Sequence, residues 1–374
     1  LARSMGSDDD MFRIWSGPKR RMSLKEKTMF LGLGCYGGKQ AKEFIAGYNY
    51  KGSAANGSEQ DLKALGNIPK YQLLGFDGFG GHRERALECL SQNFEFLDFV
   101  GNIKEEIIFL LFGGGGSTGS GCATILAEML LQNKGEDGKP TKIVCPVIAL
   151  PSSDEAIKKH TNAYDTVREL QELKGLGATF FINNDVNKDY SSINSTFAKF
   201  LDTFLTNDSY GELNNFDESE RLEMLRDSGA MVLSLMKSGT EPAIMLEKLT
   251  KNGIFAPIES NKICENIGII HAWNDNKDIE SEMIISEVGK PKNVFQGYNG
   301  RSTLIVISGL DYPVSHVAKL GELAKTAYEE RMRDRKQVKK LGVLEFMSND
   351  ITEEMTEEKK KPSKFEMLQK RIKK

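Results

Sequence analysis

Cysteine and histidine are scarce. The chain has five Cys (Cys35, Cys89, Cys122, Cys145, Cys264) and four His in 374 residues. The cysteines fall at no metal-ligand spacing, so a structural zinc site is not expected. An odd, unpatterned set reads as reduced thiols of a cytosol rather than a disulfide framework. No apolar run reaches the ~20 residues that a membrane span needs. Neither charge dominates: 50 Lys+Arg stand against 53 Asp+Glu, a net of -3, so no global attraction to nucleic acid is expected. Residues 1–21 lack an apolar signal region. The opening LARSMGS looks vector-derived, and the natural start is expected at Met22 or Met29, so residues 1–28 are set aside as a leader.

What is present is glycine in clusters. Ile107 to Phe112 is an unbroken apolar run, followed by Gly113-Gly114-Gly115-Gly116-Ser117-Thr118-Gly119-Ser120-Gly121 and a helical pattern from Cys122 to Leu131. A strand with no polar face is covered on both sides, as in a parallel α/β sheet. The glycine turn lets the backbone approach a ligand, and its amides converge on an anion with the following helix start. Ser117, Thr118 and Ser120 add hydroxyl donors. This reads as a phosphate cradle.

Other strand–turn–helix units flank it. A strand from Met29 to Leu33 enters Gly32-Leu33-Gly34-Cys35-Tyr36-Gly37-Gly38, then a helix carrying Ala41, Phe44, Ile45 and Tyr48. Alone, this is either a dinucleotide turn or an ordinary tight turn, since no acidic residue clearly closes a strand about 20 residues on. Ala54 to Leu62 is a strand end turning into a helix that Ser58 can cap, with Asp61 as partner. Gly75 to Arg83 is a glycine-rich loop ending in a basic residue. It either closes over a terminal phosphate or merely connects. A helix is expected from Glu84 to Phe99. Strands follow at Ile143–Leu150 and Ala178–Ile182. Pro151-Ser152-Ser153-Asp154-Glu155 begins a long helix through Leu173, where Glu155 either binds ribose hydroxyls or favours the helix dipole. Asn183-Asn184-Asp185 offers either an amide for a base edge or a turn cap. Alternating strands and helices predict a doubly wound nucleotide-binding domain, with its ligand at the carboxyl ends of the strands.

A helix from Ile193 to Thr206, with Phe197, Phe200, Leu201, Phe204 and Leu205 on one face, is a candidate connector. Asn214 to Glu220 opens a helix to Leu225. Asp217 and Glu220 share a face there and either cap the helix or polarise a water for phosphate hydrolysis. The remainder reads as a smaller α+β domain. Strands are expected at Ala230–Leu235, Ile267–Trp273, Met283–Glu287 and Thr303–Ser308, with a helix at Pro242–Leu249. Pro313 to about Lys340 reads as a long helix. The tail after it is charged, basic from Lys359, with Phe365, Leu368 and Ile372 on one face if it becomes helical. It is either a solvated end or a docking peptide.

Gly115 to Gly121 resembles the tubulin/FtsZ signature GGGTG[ST]G, with Ser117 in place of the third glycine. The flanking loops occur in that family's order. Gly32–Gly38 looks like its first glycine loop, Ala55-Asn56-Gly57-Ser58 like its Asn-Thr-Asp/Ser loop, and Gly75–Arg83 like its γ-phosphate loop. Glu155 matches the ribose-binding acid and Asn184 the guanine-binding Asn. Asn215-Phe216-Asp217-Glu218-Ser219-Glu220 is similar to the catalytic loop Asn-x-Asp-x-x-Glu. Within the superfamily the chain looks most like the TubZ plasmid and phage partition GTPases. Phe30–Gly34, Leu150-Pro151 and Phe295–Asn299 carry that likeness.

The resemblance implies a Rossmann-type GTPase domain (29–192), a connecting core helix (193–207), a catalytic loop with an α+β domain (208–312), a long C-terminal helix (313–340) and a charged tail (341–374). It implies GTP/GDP with Mg²⁺, held by Gly34, Cys35, Tyr36, Gly37, Lys39, Asn56, Ser58, Gly80, Gly81, Gly115, Gly116, Ser117, Thr118, Gly119, Ser120, Glu155 and Asn184, and no protein metal cluster. Asp217, Glu220 and Asn215 would act on the nucleotide of the next subunit in a head-to-tail cytoplasmic filament. The tail would recruit a DNA-bound adaptor, and no direct membrane contact is expected. Lys39 stands where many relatives have Asn, and Tyr36 replaces a glycine. Three other readings stand beside it: an FtsZ-like cell-division filament, a non-catalytic structural filament of the same fold, against which the two acids argue, and a dinucleotide-binding oxidoreductase built on Gly32–Gly37. The oxidoreductase leaves Gly113–Gly121 and Asn215–Glu220 unexplained.

Overall fold

The computed structural model describes residues 22–206, 216–273 and 277–337. Two units are distinguished, Leu1–Glu329 and Glu330–Lys374. The first holds a sheet of ten strands among the described residues, in the order β3-β2-β1-β4-β5-β6-β7-β10-β8-β9.

The chain enters through β1 (Thr28–Leu33), α1 (Gly34–Lys42, prolonged by one wider turn to Gly47), β2 (Lys51–Asn56), α2 (Glu59–Ala64) and β3 (Lys70–Gln72). Next come α3 (Ala86–Gln92), α4 (Phe94–Gly101), β4 (Ile107–Gly113), α5 (Ser117–Leu131), β5 (Ile143–Leu150), α6 (Ile157–Glu172), β6 (Ala178–Asn183) and α7 (Tyr190–Thr206). The second half contributes α8 (Glu218–Arg226), β7 (Gly229–Met236), α9 (Pro242–Thr250), β8 (Asn266–Ala272), α10 (Ser281–Val288), β9 (Asn293–Gly300), β10 (Thr303–Leu310) and α11 (Val314–Gln337).

Strands β1 to β6 are parallel. Ile107 to Phe112 of β4 are fully buried, as a strand covered on both faces must be. Each such side chain contributes roughly 1.5–3 kcal/mol through burial. The chain winds outward in opposite directions from β1 and β4. The crevice between their carboxyl ends is therefore the switch point where doubly wound sheets bind ligands.

The second half continues this sheet. β7 pairs in parallel with β6 through Ala178↔Gly229 and Thr179↔Ala230, and β10 runs antiparallel to both β7 and β8. Both halves, and α11 as far as Glu329, belong to one compact unit. Helix α7 begins three residues before the expected Ile193. Phe197 packs against Phe44, Phe180 and Phe255 at ring separations of 5.7–6.0 Å.

Two expected elements are corrected. Met283–Glu287 is not a strand but part of α10. Its buried residues are Ile284 and Val288, spaced i,i+4 as on a helix, and Gly289 ends it at φ 95°. The helix expected from Glu84 to Phe99 is broken at Asn93. Its side chain leaves the helical path to accept from Leu74 N (2.7 Å) and donate to Leu74 O (3.1 Å).

Candidate functional site

Two helix starts meet at the switch point. Gly34, at φ 71°, turns β1 into α1; only glycine adopts that backbone freely. The preceding Leu33 supplies no side-chain cap. Helix α5 starts at Ser117, inside the glycine run rather than at Cys122, and Gly116 before it supplies none either. Both helices thus present unpaired amides and the positive end of their dipoles to one space. In contrast, Ser58 accepts from Asp61 N and caps α2. Uncapped helix starts of this kind favour an anion.

Around this point lies a cleft of about 480 Å³, a size suited to a small-molecule ligand. Of the expected nucleotide-binding residues, all but Gly37, Gly81 and Ser120 line it. Gly37 and Ser120 are buried in the fold's interior. A Cβ at Gly37 would run into the Leu111 carbonyl oxygen, so glycine lets α1 lie on β4. The Ser120 hydroxyl is buried and donates to Gly116 O within its own helix. Gly81 is half-buried, its carbonyl accepting from Asn162.

Asn56 and Ser58 stand on one wall with Asp61, whose carboxylate accepts from the Asn56 amide at 2.9 Å. Glu155 precedes α6 rather than sitting in its first turn. It is ion-paired with Lys159, and Tyr190 Oη donates to it at 3.5 Å. Burial pushes the Cys35 thiol up; Asp61 adds to this and Lys39 opposes it. Burial likewise raises the Tyr36 phenol, which donates to Gln40 at 3.3 Å.

Sequence reasoning missed Lys159, Tyr190 and Asn194, all of which line the cleft. Asn194 lies four residues after Tyr190, beside the buried Ile193 and Phe197 of α7. A polar residue on an apolar stripe was the available signal. Asn184 and Asn194 are 7% and 6% exposed, and the side-chain oxygen of each has no hydrogen-bond partner among the described residues. Buried polar atoms are ordinarily satisfied. Two orphan acceptors facing one cleft suit a ligand edge rich in N–H donors.

Asp217 and Glu220 lie elsewhere. Asp217 accepts from Ser219 N at 2.6 Å, and Glu220 accepts from Asp217 N at 3.0 Å, a reciprocal cap on α8. Glu218 accepts from Leu24 N, ahead of β1 (3.1 Å), and Arg226 donates to Glu106, just before β4 (3.0 Å). Helix α8 therefore sits on the amino-terminal edge of the sheet, opposite the cleft. The seven residues of β4 run between the two edges, six steps or about 20 Å at ~3.3 Å per residue. Asn215 lies outside the described residues.

No protein-family profile matches the chain. It is 26% identical over 328 residues to the tubulin-like protein TubZ of Clostridium botulinum C phage, spanning 84% of this chain and 86% of that protein. The crystal structure of Clostridium botulinum phage c-st TubZ superposes with a TM-score of 0.71 at 22% identity, over 82% of this chain and 99% of that one. The chain has the tubulin/FtsZ fold and resembles TubZ. A GTPγS-form protofilament of TubZ from Bacillus thuringiensis serovar israelensis shares the tubulin/FtsZ fold at TM-score 0.68 and 17% identity, over 82% of this chain and 94% of that one. Within this fold, the glycine-lined cleft and the α8 acids occupy opposite edges of one sheet.

Proposed function

We propose that the chain is a polymerising GTPase in which one subunit binds GTP and the next supplies the hydrolytic acids. One observation carries this reading. The phosphate-facing turns converge on the carboxyl edge, while α8, which Asp217 and Glu220 cap, is bonded to the amino edge through Glu218 and Arg226. Head-to-tail stacking brings these two edges together. The TubZ and CetZ relatives, tubulin-like by name, support a filament of prokaryotic tubulin type.

The residues divide by role. The amides at the starts of α1 and α5, with Thr118, hold the phosphates. Glu155 takes ribose hydroxyls. Asn184 and Asn194 accept from the guanine N–H edge, which presents donors where adenine's pairing edge presents one donor and one acceptor. Tyr190, four residues before Asn194, covers the base. Ser117 replaces glycine without strain, because its backbone is already helical. A Mg²⁺ held mainly by phosphate oxygens and water fits this donor set. Asp61 is the nearby carboxylate, and no three-residue metal cluster exists among the described residues. Such an ion would neutralise phosphate charge. Asp217 and Glu220 orient and polarise the attacking water, so that catalysis comes from positioning and electrostatics.

The resemblance extends the reading to plasmid or phage DNA segregation in a cytoplasm, through an adaptor on the tail. That tail (341–374) lies outside the described residues, as does the end of the expected helix to Lys340. Deleting residues 359–374 should abolish adaptor co-sedimentation and spare assembly. The nucleotide assignment is tested by titrating the full chain with fluorescent GTP, ATP and NAD, and by electron microscopy with GTPγS. Guanine-selective binding with filament formation supports it. Tight NAD binding without GTP binding refutes it.

A further inference from the structure

Helix α6 touches both of the loops assigned to phosphates. A Cβ added at Gly81 would stand 3.5 Å from the Lys158 side chain, and one at Gly115 would stand 2.9 Å from that of Lys159. One turn further on, Asn162 Nδ2 donates to Gly81 O at 3.2 Å and to Gly115 O at 3.3 Å. The residue is 1% exposed. Two carbonyls need two N–H groups; a hydroxyl has one donor and a carboxylate none. Seven residues along, Glu169 takes the Arg83 guanidinium at 2.5 and 2.6 Å and accepts from Thr124 at 3.0 Å. Arg83 also donates to Ser120 O at 3.4 Å. The same side of α6 thus ties down the end of the Gly78–Arg83 loop.

That loop has little conformation of its own. Gly78, Gly80 and Gly81 all sit at positive φ, and glycine is permissive there. Its bound shape must be set from outside, and Asn162 is the tie that reaches both this loop and the Gly115 turn. The uncapped helix starts serve phosphates that GDP and GTP share. The Gly78–Gly80 wall is the part left for the terminal one.

We propose that Asn162 is a positioning residue that locks the Gly80–Gly81 segment to the Gly115 turn and thereby sets the preference for guanosine triphosphate over diphosphate. This rests on the GTP-site reading above. The two loops would be coupled through α6, each ordering the other.

The test compares GDP and GTPγS affinities of the full chain, wild type and Asn162→Leu, below the assembly concentration, with a thermal melt to confirm folding. The variant should bind GDP within about threefold of wild type and GTPγS about tenfold more weakly. Equal weakening of both ligands, or of neither, overturns the proposal alone. A wild type that binds neither nucleotide overturns the GTP-site reading and this proposal with it. If Asn162→Leu does not fold, amide exchange of the wild type decides. GTPγS relative to GDP should slow exchange in residues 78–83 and in 158–163 together; slowing confined to 78–83 overturns the coupling.

Discussion

Asp217 and Glu220 cap α8 reciprocally: Asp217 accepts from Ser219 N, and Glu220 accepts from Asp217 N. A structural role and a catalytic role thus fall on the same two carboxylates. Asp217→Ala should cost about 1 kcal/mol of stability through the lost cap. It should also reduce GTP hydrolysis on the order of 10²–10³-fold, as expected for loss of a positioned acid–base group. Filaments should still form and persist. Thermal melts and phosphate release measure the two effects separately, and rapid hydrolysis in Asp217→Ala would remove Asp217 from the mechanism.

The same pair predicts a pH dependence. Partial burial and then Asp217 raise the Glu220 carboxyl above its ordinary value, while Glu220 and the Ser219 amide lower Asp217. The ionised form is needed to polarise water. Activity should therefore be present above the Glu220 pKa and fall as pH drops through it, at a pH higher than for an ordinary glutamate. Asp217 stays charged throughout that window. Glu220→Gln should flatten this limb of the profile of kcat at saturating GTP. An unchanged limb would assign it to another group.

Guanine selectivity should reside in the two orphan amides. Asn194→Ala should reduce the GTP-over-ATP affinity ratio about tenfold, the value of one good hydrogen bond in a buried site. Competition binding measures this. A ratio that stays constant while both affinities fall would make Asn194 a packing residue of α7.

Ser117 and Gly119 should respond oppositely to the exchange of glycine and side chain. Ser117→Gly should leave GTP affinity within about twofold and lower stability by at most ~1 kcal/mol, because the residue it replaces is already helical. At Gly119 a Cβ would lie 2.6 Å from the Leu33 carbonyl oxygen. Gly119→Ala should push α5 off β1 and abolish measurable GTP binding. Melts and nucleotide titrations on the two variants decide.

Much of this architecture is legible in the residues. β4 and β5 read as strands because a doubly covered strand has no polar face, and glycine turns mark the carboxyl ends of β1 and β4. What escaped depends on distant contacts. Asn93 breaks the α3–α4 segment to bond Leu74, nineteen residues earlier. The apolar stretch Met283–Glu287 suggests a strand, yet the buried pair is Ile284 and Val288. Arg83, at the end of a loop expected to close over phosphate, is instead committed to Glu169. Asn194 is marked in the sequence only as a polar residue on the apolar stripe of α7; that its side-chain oxygen is buried and unpartnered is seen only in the fold.

Phosphate release per subunit, followed across protein concentrations that bracket filament onset, separates catalysis within a subunit from catalysis between subunits. With the cleft and the α8 acids on opposite edges of the sheet, the rate per subunit should be near zero below the onset measured by light scattering and rise steeply above it. A rate per subunit that is substantial and independent of concentration below that onset would contradict hydrolysis in trans.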